Sequence, residues 1–216
     1  MSDLERRLAT DHPSALDLEA FRTALAARAE AAGEVDVAYG ALDSPVGELT
    51  VFVTPRGVVR IAFADEERDA ILGEMAARLS PRILPAAAAT DTARRQLDEF
   101  LAGRRHEFDL PLDWSLVRGF AVGVLRATAA VPYGSTTTYR EVAAAAGSPR
   151  AARAAGNALG SNPIPIVVPC HRVLHASGGL GGYAGGLDRK RVLLRLEGSL
   201  PPDQGTRWGR PASRCT

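Results

Sequence analysis

The sequence is poor in lysine and in sulfur. Lys190 is the single lysine among 26 basic residues, and 216 residues contain two cysteines, Cys170 and Cys215, and two methionines. Two cysteines are too few for a disulfide framework, and no CxxC occurs. The four histidines, His12, His106, His171 and His175, show neither zincin nor finger spacing, so no structural metal is expected. No apolar run reaches the roughly 18–20 residues that a membrane helix needs. The opening Asp3, Glu5, Arg6 and Arg7 lead into no apolar signal core. The chain therefore reads as soluble and cytoplasmic. What is present is ordinary globular composition: 46% hydrophobic and 24% charged residues, with 21 Gly and 14 Pro, which argues against disorder, collagen and coiled coil. The length suits one sizeable core or two small ones.

The net charge of +1 hides an asymmetry. Residues 1–112 carry 13 Arg against 20 Asp and Glu, a net of −7; residues 113–216 carry 12 Arg and Lys190 against 5 acids, a net of +8. A half that basic suits a polyanion such as nucleic acid. Arginine decorating a solvated surface, helped by coding bias, is the plainer alternative.

Composition shifts divide the chain. Residues 1–35 are rich in Ala, Glu and Arg. Ser14 and Asp17 read as a capping box, Leu18, Phe21 and Leu25 as an apolar stripe, and Gly33 as the stop of a helix over about 15–32. Residues 35–64 hold β-branched and aromatic runs cut by Ser44-Pro45-Val46-Gly47 and Pro55-Arg56-Gly57, a three-stranded meander. Helices are predicted at about 65–79 and 90–102, the second with Leu97, Phe100 and Leu101 on one face and Gly103 after it. Phe108–Leu112 reads as an edge strand or extended linker, since Pro111 has no N–H for a ladder. The boundary is set near 112. The second half predicts helices at 116–129, 139–146 (capped by Thr138, with Glu141 at its third position) and 150–160. The last two, with the Gly147-Ser148-Pro149 break between them, make a helix-turn-helix pattern, though many αα-hairpins look alike.

The chemistry concentrates in Asn162-Pro-Ile-Pro-Ile-Val-Val-Pro-Cys-His-Arg-Val173. The prolines predict a rigid, extended strand, and the Ile-Val-Val run a buried one. A thiol at its end, beside His171 and Arg172, has cations that favour thiolate, the nucleophilic form. A buried, inert cysteine fits the same pattern. Neighbouring Cys and His on a strand point to opposite faces, so their contact requires a bend or a bridging water.

Pro169-Cys170-His171-Arg172-Val173 resembles the active-site pentapeptide of the methylated-DNA–protein-cysteine methyltransferases, the O6-alkylguanine-DNA alkyltransferases. The resemblance runs without a break from Val131 to Gly198. Leu42–Val53 and Leu97–Asp113 also resemble that family's N-terminal domain. It implies an α/β (α+β) chain: a small ribonuclease H-like sheet-and-helix domain over 36–112, then a winged-helix-like helix-turn-helix domain over 113–199 for DNA binding and catalysis. Residues 1–35 are an extension and 200–216 a tail. It implies direct-reversal repair, with irreversible, single-turnover transfer of an alkyl group from O6 of guanine, and O4 of thymine, to Cys170.

The resemblance also assigns roles. Cys170 is the acceptor, His171 and Glu197 form a water-linked relay, and Asn162 braces the turn. Tyr139 crowds the target phosphate and protonates the leaving base. Arg153 enters the stack where the base was, on a helix whose small residues Ala152 and Gly156 permit close approach in the minor groove. The glycine-dense Gly178–Gly186 carries no GK[ST] signature and is implied to wall the guanine pocket, with Tyr183, Gly181, Ala184, Gly185, Pro165 and Val173 lining it. On the residues alone, Glu197 also reads as a helix-end charge, Tyr139 as a core tyrosine, and the small helix face as a packing surface. No cofactor and no metal are implied; the partner is double-stranded DNA containing O6-alkylguanine, met by a monomer away from membranes. Three positions depart from the common pattern: Ala184 where some members carry serine, and Ala121 and Leu125 where many carry Gln and Trp. A lesion sensor, a helix-turn-helix regulator and a cysteine hydrolase are the rival readings. Cys170 argues against the first and the short N-terminal extension against the second; the third would need an oxyanion site.

Overall fold

A computed structural model of the chain describes residues 15–200. The first half is built on a four-stranded sheet of order β3-β2-β1-β4. Strands β1 (Val37–Leu42), β2 (Leu49–Thr54) and β3 (Gly57–Phe63) form the expected antiparallel meander. β4 (Ile83–Pro85) adds in parallel beside β1, an element absent from the sequence reading because three residues ending in proline carry no strand signal. Helix α1 (Ala15–Ala31) precedes the sheet, α2 (Arg68–Arg78) lies between β3 and β4, and α3 (Ala87–Leu101) follows β4.

The sheet is buried on both faces, and its side chains alternate between them except at a bulge in the β2–β3 pairing, where Val59 is the extra residue and the alternation shifts. Leu49 and Val51 of β2, with Ile61 and Phe63 of β3, join a core that includes Ala93, Leu97, Phe100 and Leu101 of α3. Phe52, Val59 and Ala62 point the other way, onto Ile71 and Met75 of α2. The first core continues through Val124, Leu125, Val142, Ile164, Val168 and Leu193, so one packed interior spans both halves of the chain.

Helix α1 ends at Gly33, whose φ of +69° is the left-handed stop that glycine supplies. Of the expected stripe, Phe21 is 65% and Leu25 49% exposed, whereas Ala26 is buried. Ser14, its expected cap, lies outside the described residues, as do Cys215 and the tail beyond 200. The Phe108–Leu112 segment runs extended beside β3, bridging at Val58. Val58 N–H donates to the Pro111 carbonyl at 2.9 Å and Asp113 N–H to the Val58 carbonyl at 2.8 Å, so the residue without an N–H serves as acceptor only. Asp113 then caps a 3₁₀ turn at Trp114–Leu116, accepting from Ser115 N–H.

In the second half, α4 (Phe120–Ala129) leads to β5 (Thr137–Thr138), α5 (Tyr139–Ala145) and α6 (Ala152–Gly160). The Thr138/Glu141 capping box forms as the sequence predicts. Gly147 (φ +81°) turns the chain between α5 and α6. β6 (Val173–Leu174) pairs in parallel with β5, and α7 (Leu187–Leu196) closes the domain.

Candidate active site

The segment before the cysteine is not a strand. Pro163, Pro165 and Pro169 have no N–H for a ladder, and Ile166 takes a positive φ of +73°. The Asn162 side chain closes the segment into a compact turn instead. Its Oδ1 accepts from Ile164 N–H at 3.0 Å and its Nδ2 donates to the Val168 carbonyl at 2.9 Å. The same Nδ2 donates to Cys170 Sγ at 3.1 Å. Cys170, His171 and Arg172 then form a 3₁₀ turn, so the alternation that would have sent Cys and His to opposite faces does not apply.

His171, Arg172 and Glu197 form a buried ionic cluster. His171 Nε2 lies 2.8 Å from Glu197 Oε1; Arg172 Nε and Nη2 each donate to the Glu197 carboxylate at 2.9 Å. A third Arg172 donor reaches the Val131 carbonyl. The arrangement corrects the expected role of Arg172: its guanidinium is committed to Glu197 rather than to the thiol. Burial opposes ionisation of Glu197, but its bonds to His171 and Arg172 outweigh this and hold it below the usual carboxylate range. Burial lowers the pKa of His171 despite Glu197, so the imidazole is a neutral base. With Nε2–H given to Glu197, Nδ1 is the basic nitrogen, and it has no hydrogen-bond partner among the described residues.

Burial pushes the Cys170 thiol up to about 11, countered by the Asn162 hydrogen bond and by the charge of Lys190. Lys190 is itself fully buried. Its Nζ donates to the carbonyls of Val173 (2.7 Å) and Gly182 (3.3 Å), and burial draws its pKa down to about 8. Sequence reasoning did not place this residue in the site. The available signal was its singularity: in a chain that otherwise uses arginine, one lysine marks a position that needs a compact ammonium.

A cavity of about 630 Å³ opens beside this cluster, lined by Tyr139, Ala152, Arg153, Gly156, Asn157, His175, Gly182, Tyr183 and Ala184 among others. Its walls are α5, α6 and the glycine-dense loop. Burial raises the pKa of the Tyr139 hydroxyl, so it is protonated and able to donate. A Cβ on Gly181 would stand 2.5 Å from the same hydroxyl. The first half of the chain supports the loop from behind. The Tyr183 ring meets Phe63 edge-on with centroids 6.2 Å apart, and Arg189 lies over Phe63 at 4.6 Å. Arg189 also donates to the carbonyls of Val46 and Gly185 and pairs with Asp65 at 2.9 Å.

Two family models match. "6-O-methylguanine DNA methyltransferase, ribonuclease-like domain" covers residues 37–114, and its DNA binding domain covers residues 119–199. The methylated-DNA–protein-cysteine methyltransferase of Mycolicibacterium paratuberculosis is 42% identical over 163 residues, 74% of this chain and 92% of the relative. The chain belongs to the methylated-DNA–protein-cysteine methyltransferase family. A relative of the same name from Methanosarcina barkeri is 36% identical over 159 residues, 74% of this chain and 96% of its own. Among solved structures, Mycobacterium tuberculosis OGT in complex with DNA superposes with a TM-score of 0.64 at 41% identity, covering 75% of this chain and 93% of that one.

Within this family frame the expected site residues fall into two groups. Cys170, His171, Glu197 and Asn162 are brought together in one buried cluster, and Tyr139, Ala152, Arg153, Gly156, Tyr183 and Ala184 line the cavity. Four of the expected pocket residues are outside that lining. Val173 is fully buried with its carbonyl given to Lys190, Pro165 is buried in the Asn162 turn, and Gly181 abuts Tyr139. Gly185 is packed on Phe63, where a Cβ would stand 2.6 Å from the ring. Cys170, 4% exposed, is also behind the lining rather than in it. His175 was not assigned from the sequence; its imidazole packs against Tyr139 at a tilt of 43°, with centroids 5.2 Å apart. Of the departures, Leu125 fills the core and Ala184 presents only its methyl and backbone to the cavity.

Proposed function

We propose that this protein repairs O6-alkylguanine in double-stranded DNA by direct reversal, moving the alkyl group to Cys170 in a single, irreversible turnover. One observation carries the reading: a cysteine buried beside an imidazole whose other nitrogen is fixed by a carboxylate, set behind a cavity walled by a helix-turn-helix. The Cys170 proton passes by way of a water to His171 Nδ1. Sγ attacks the alkyl carbon in line, the C–S bond forms, and the C–O6 bond breaks with its electrons returning to the purine. Tyr139 supplies the proton that restores neutral guanine. No cofactor enters the balance. O4-alkylthymine presents the same alkyl–oxygen bond and is a second substrate.

Helix α6 supplies the approach to DNA. Arg153 is exposed on it, with Arg140 and Arg150 exposed nearby, and Ala152 and Gly156 leave room for a backbone to come close. This suits a minor-groove contact made by shape, with Arg153 filling the space of the flipped base. We read residues 36–112 as a supporting domain and 113–199 as the DNA-binding and catalytic one, acting as a monomer in the cytoplasm. No helix among the described residues is long and apolar enough to cross a membrane.

The test is intact-protein mass after incubation with a duplex holding one O6-methylguanine. One added methyl, mapped to Cys170 and absent in Cys170→Ser, is the expected result. An unchanged mass in folded protein that still binds the duplex would overturn the reading in favour of a lesion sensor.

A further inference from the structure

Two of the buried side-chain atoms without a hydrogen-bond partner among the described residues belong to the surroundings of Cys170: His171 Nδ1 and the Tyr183 hydroxyl. Their rings meet edge-on, with centroids 6.3 Å apart. Buried polar atoms are paired as a rule, and an unpaired one beside a nucleophile calls for a functional explanation. The two orphans are also complementary. His171 Nδ1 is an acceptor, because Nε2–H is given to Glu197. The Tyr183 hydroxyl is a donor: burial raises its pKa well above the ordinary tyrosine value, so it keeps its proton. A donor, an acceptor and a thiol in one buried place are the three polar partners that a structural water takes.

We propose that the Tyr183 hydroxyl is a positioning group for proton removal from Cys170, donating to the water that links Sγ to His171 Nδ1. This rests on the relay described under the proposed function and gives it a third anchor. The proton leaves Sγ for the water, and a water proton passes to Nδ1. Tyr183 keeps its own proton and holds the water oxygen in place throughout. The same residue thus serves twice: its ring walls the cavity and its hydroxyl faces the interior. Arg189 and Phe63 fix the ring from behind. Lys190 on α7 and Tyr139 on α5 face the sulfur, Arg189 and Glu197 of the α7 segment face the Tyr183 hydroxyl, and Arg172 and Glu197 flank His171.

Tyr183→Phe tests this, since it keeps the ring and deletes the hydroxyl. Two rates are measured from pH 6 to 10 in a Cys215→Ser background: methyl transfer from duplex under single-turnover conditions, and alkylation of Cys170 by iodoacetamide. The expected result is a rate about tenfold lower near neutrality in both reactions, the worth of one hydrogen bond to the reacting system. The rising limb of both profiles also moves to higher pH, while duplex affinity is unchanged. Equal rates and equal profiles in Tyr183→Phe would overturn the proposal. So would a defect confined to duplex affinity, which would assign the hydroxyl to base recognition. If wild type transfers no methyl yet its iodoacetamide profile depends on Tyr183, the repair activity falls and the role of the hydroxyl stands.

Discussion

At Cys170 the protein sets two opposing demands against each other. Burial protects the thiol and also suppresses its ionisation, so neighbours must supply what water would have supplied. Asn162 gives a hydrogen bond, Lys190 a charge, and His171 a base held in one tautomer by Glu197. Glu197 is the residue on which this depends, because it neutralises Arg172 in the interior. Glu197→Gln leaves that guanidinium buried without a counter-charge, a loss of about 3–5 kcal/mol. A urea titration should show the midpoint falling accordingly, and transfer by the surviving folded protein should slow. Lys190 has the opposite sign. Its folded pKa of about 8 lies below the value near ~10.4 of an unfolded lysine, so between these the unfolded chain binds more protons. Its contribution to stability therefore rises as pH climbs from about 8. Lys190→Met should flatten that slope when urea midpoints are compared from pH 7.5 to 10, and should move the Cys170 pH–rate profile to higher pH.

At the scale of elements, the sequence was legible where a local rule decides the structure. The meander, the Thr138/Glu141 box and the glycine stops after α1 and α3 follow from turn chemistry and capping alone. It misled where polar satisfaction outside the local pattern decides. The segment from Pro163 to Pro169 has the apolar, β-branched content of a strand, yet its three prolines leave too few N–H groups for a ladder, and the Asn162 amide takes their place. β4 pairs through a register set by its distant partner β1. The cluster residues were visible through the Pro-Cys-His-Arg-Val segment, whereas Lys190 and Arg189 act through tertiary contacts that no spacing announces. The glycine loop makes its own prediction. Gly181 has a φ of +69° and touches the Tyr139 hydroxyl, so Gly181→Ala must push that hydroxyl aside. Methyl transfer from duplex should drop by about tenfold or more, while iodoacetamide still reaches Cys170 at the wild-type rate.

The whole molecule joins its acidic and basic halves through a shared core and through Arg189, which bridges α7 to Val46 and Asp65 of the first half. The sheet therefore does more than stabilise its own residues: Phe63 forms the backing on which Tyr183 and Gly185 rest. Arg189→Ala removes the ring contact, the Asp65 pair and two carbonyl contacts together. Hydrogen exchange at residues 183–186 should then accelerate, with β1–β3 unchanged. Uniform acceleration across the chain would instead make Arg189 a general stabiliser.

Cys170 sits 4% exposed in a turn tied shut by the Asn162 amide. On the proposed reaction the product there is a thioether, whose carbon–sulfur bond neither water nor a second thiol cleaves, unlike an ester or a disulfide. Each chain is thus a mark that is made once and not erased. The ratio of marked to unmarked chains in a sample would record cumulative exposure, as a film badge records dose.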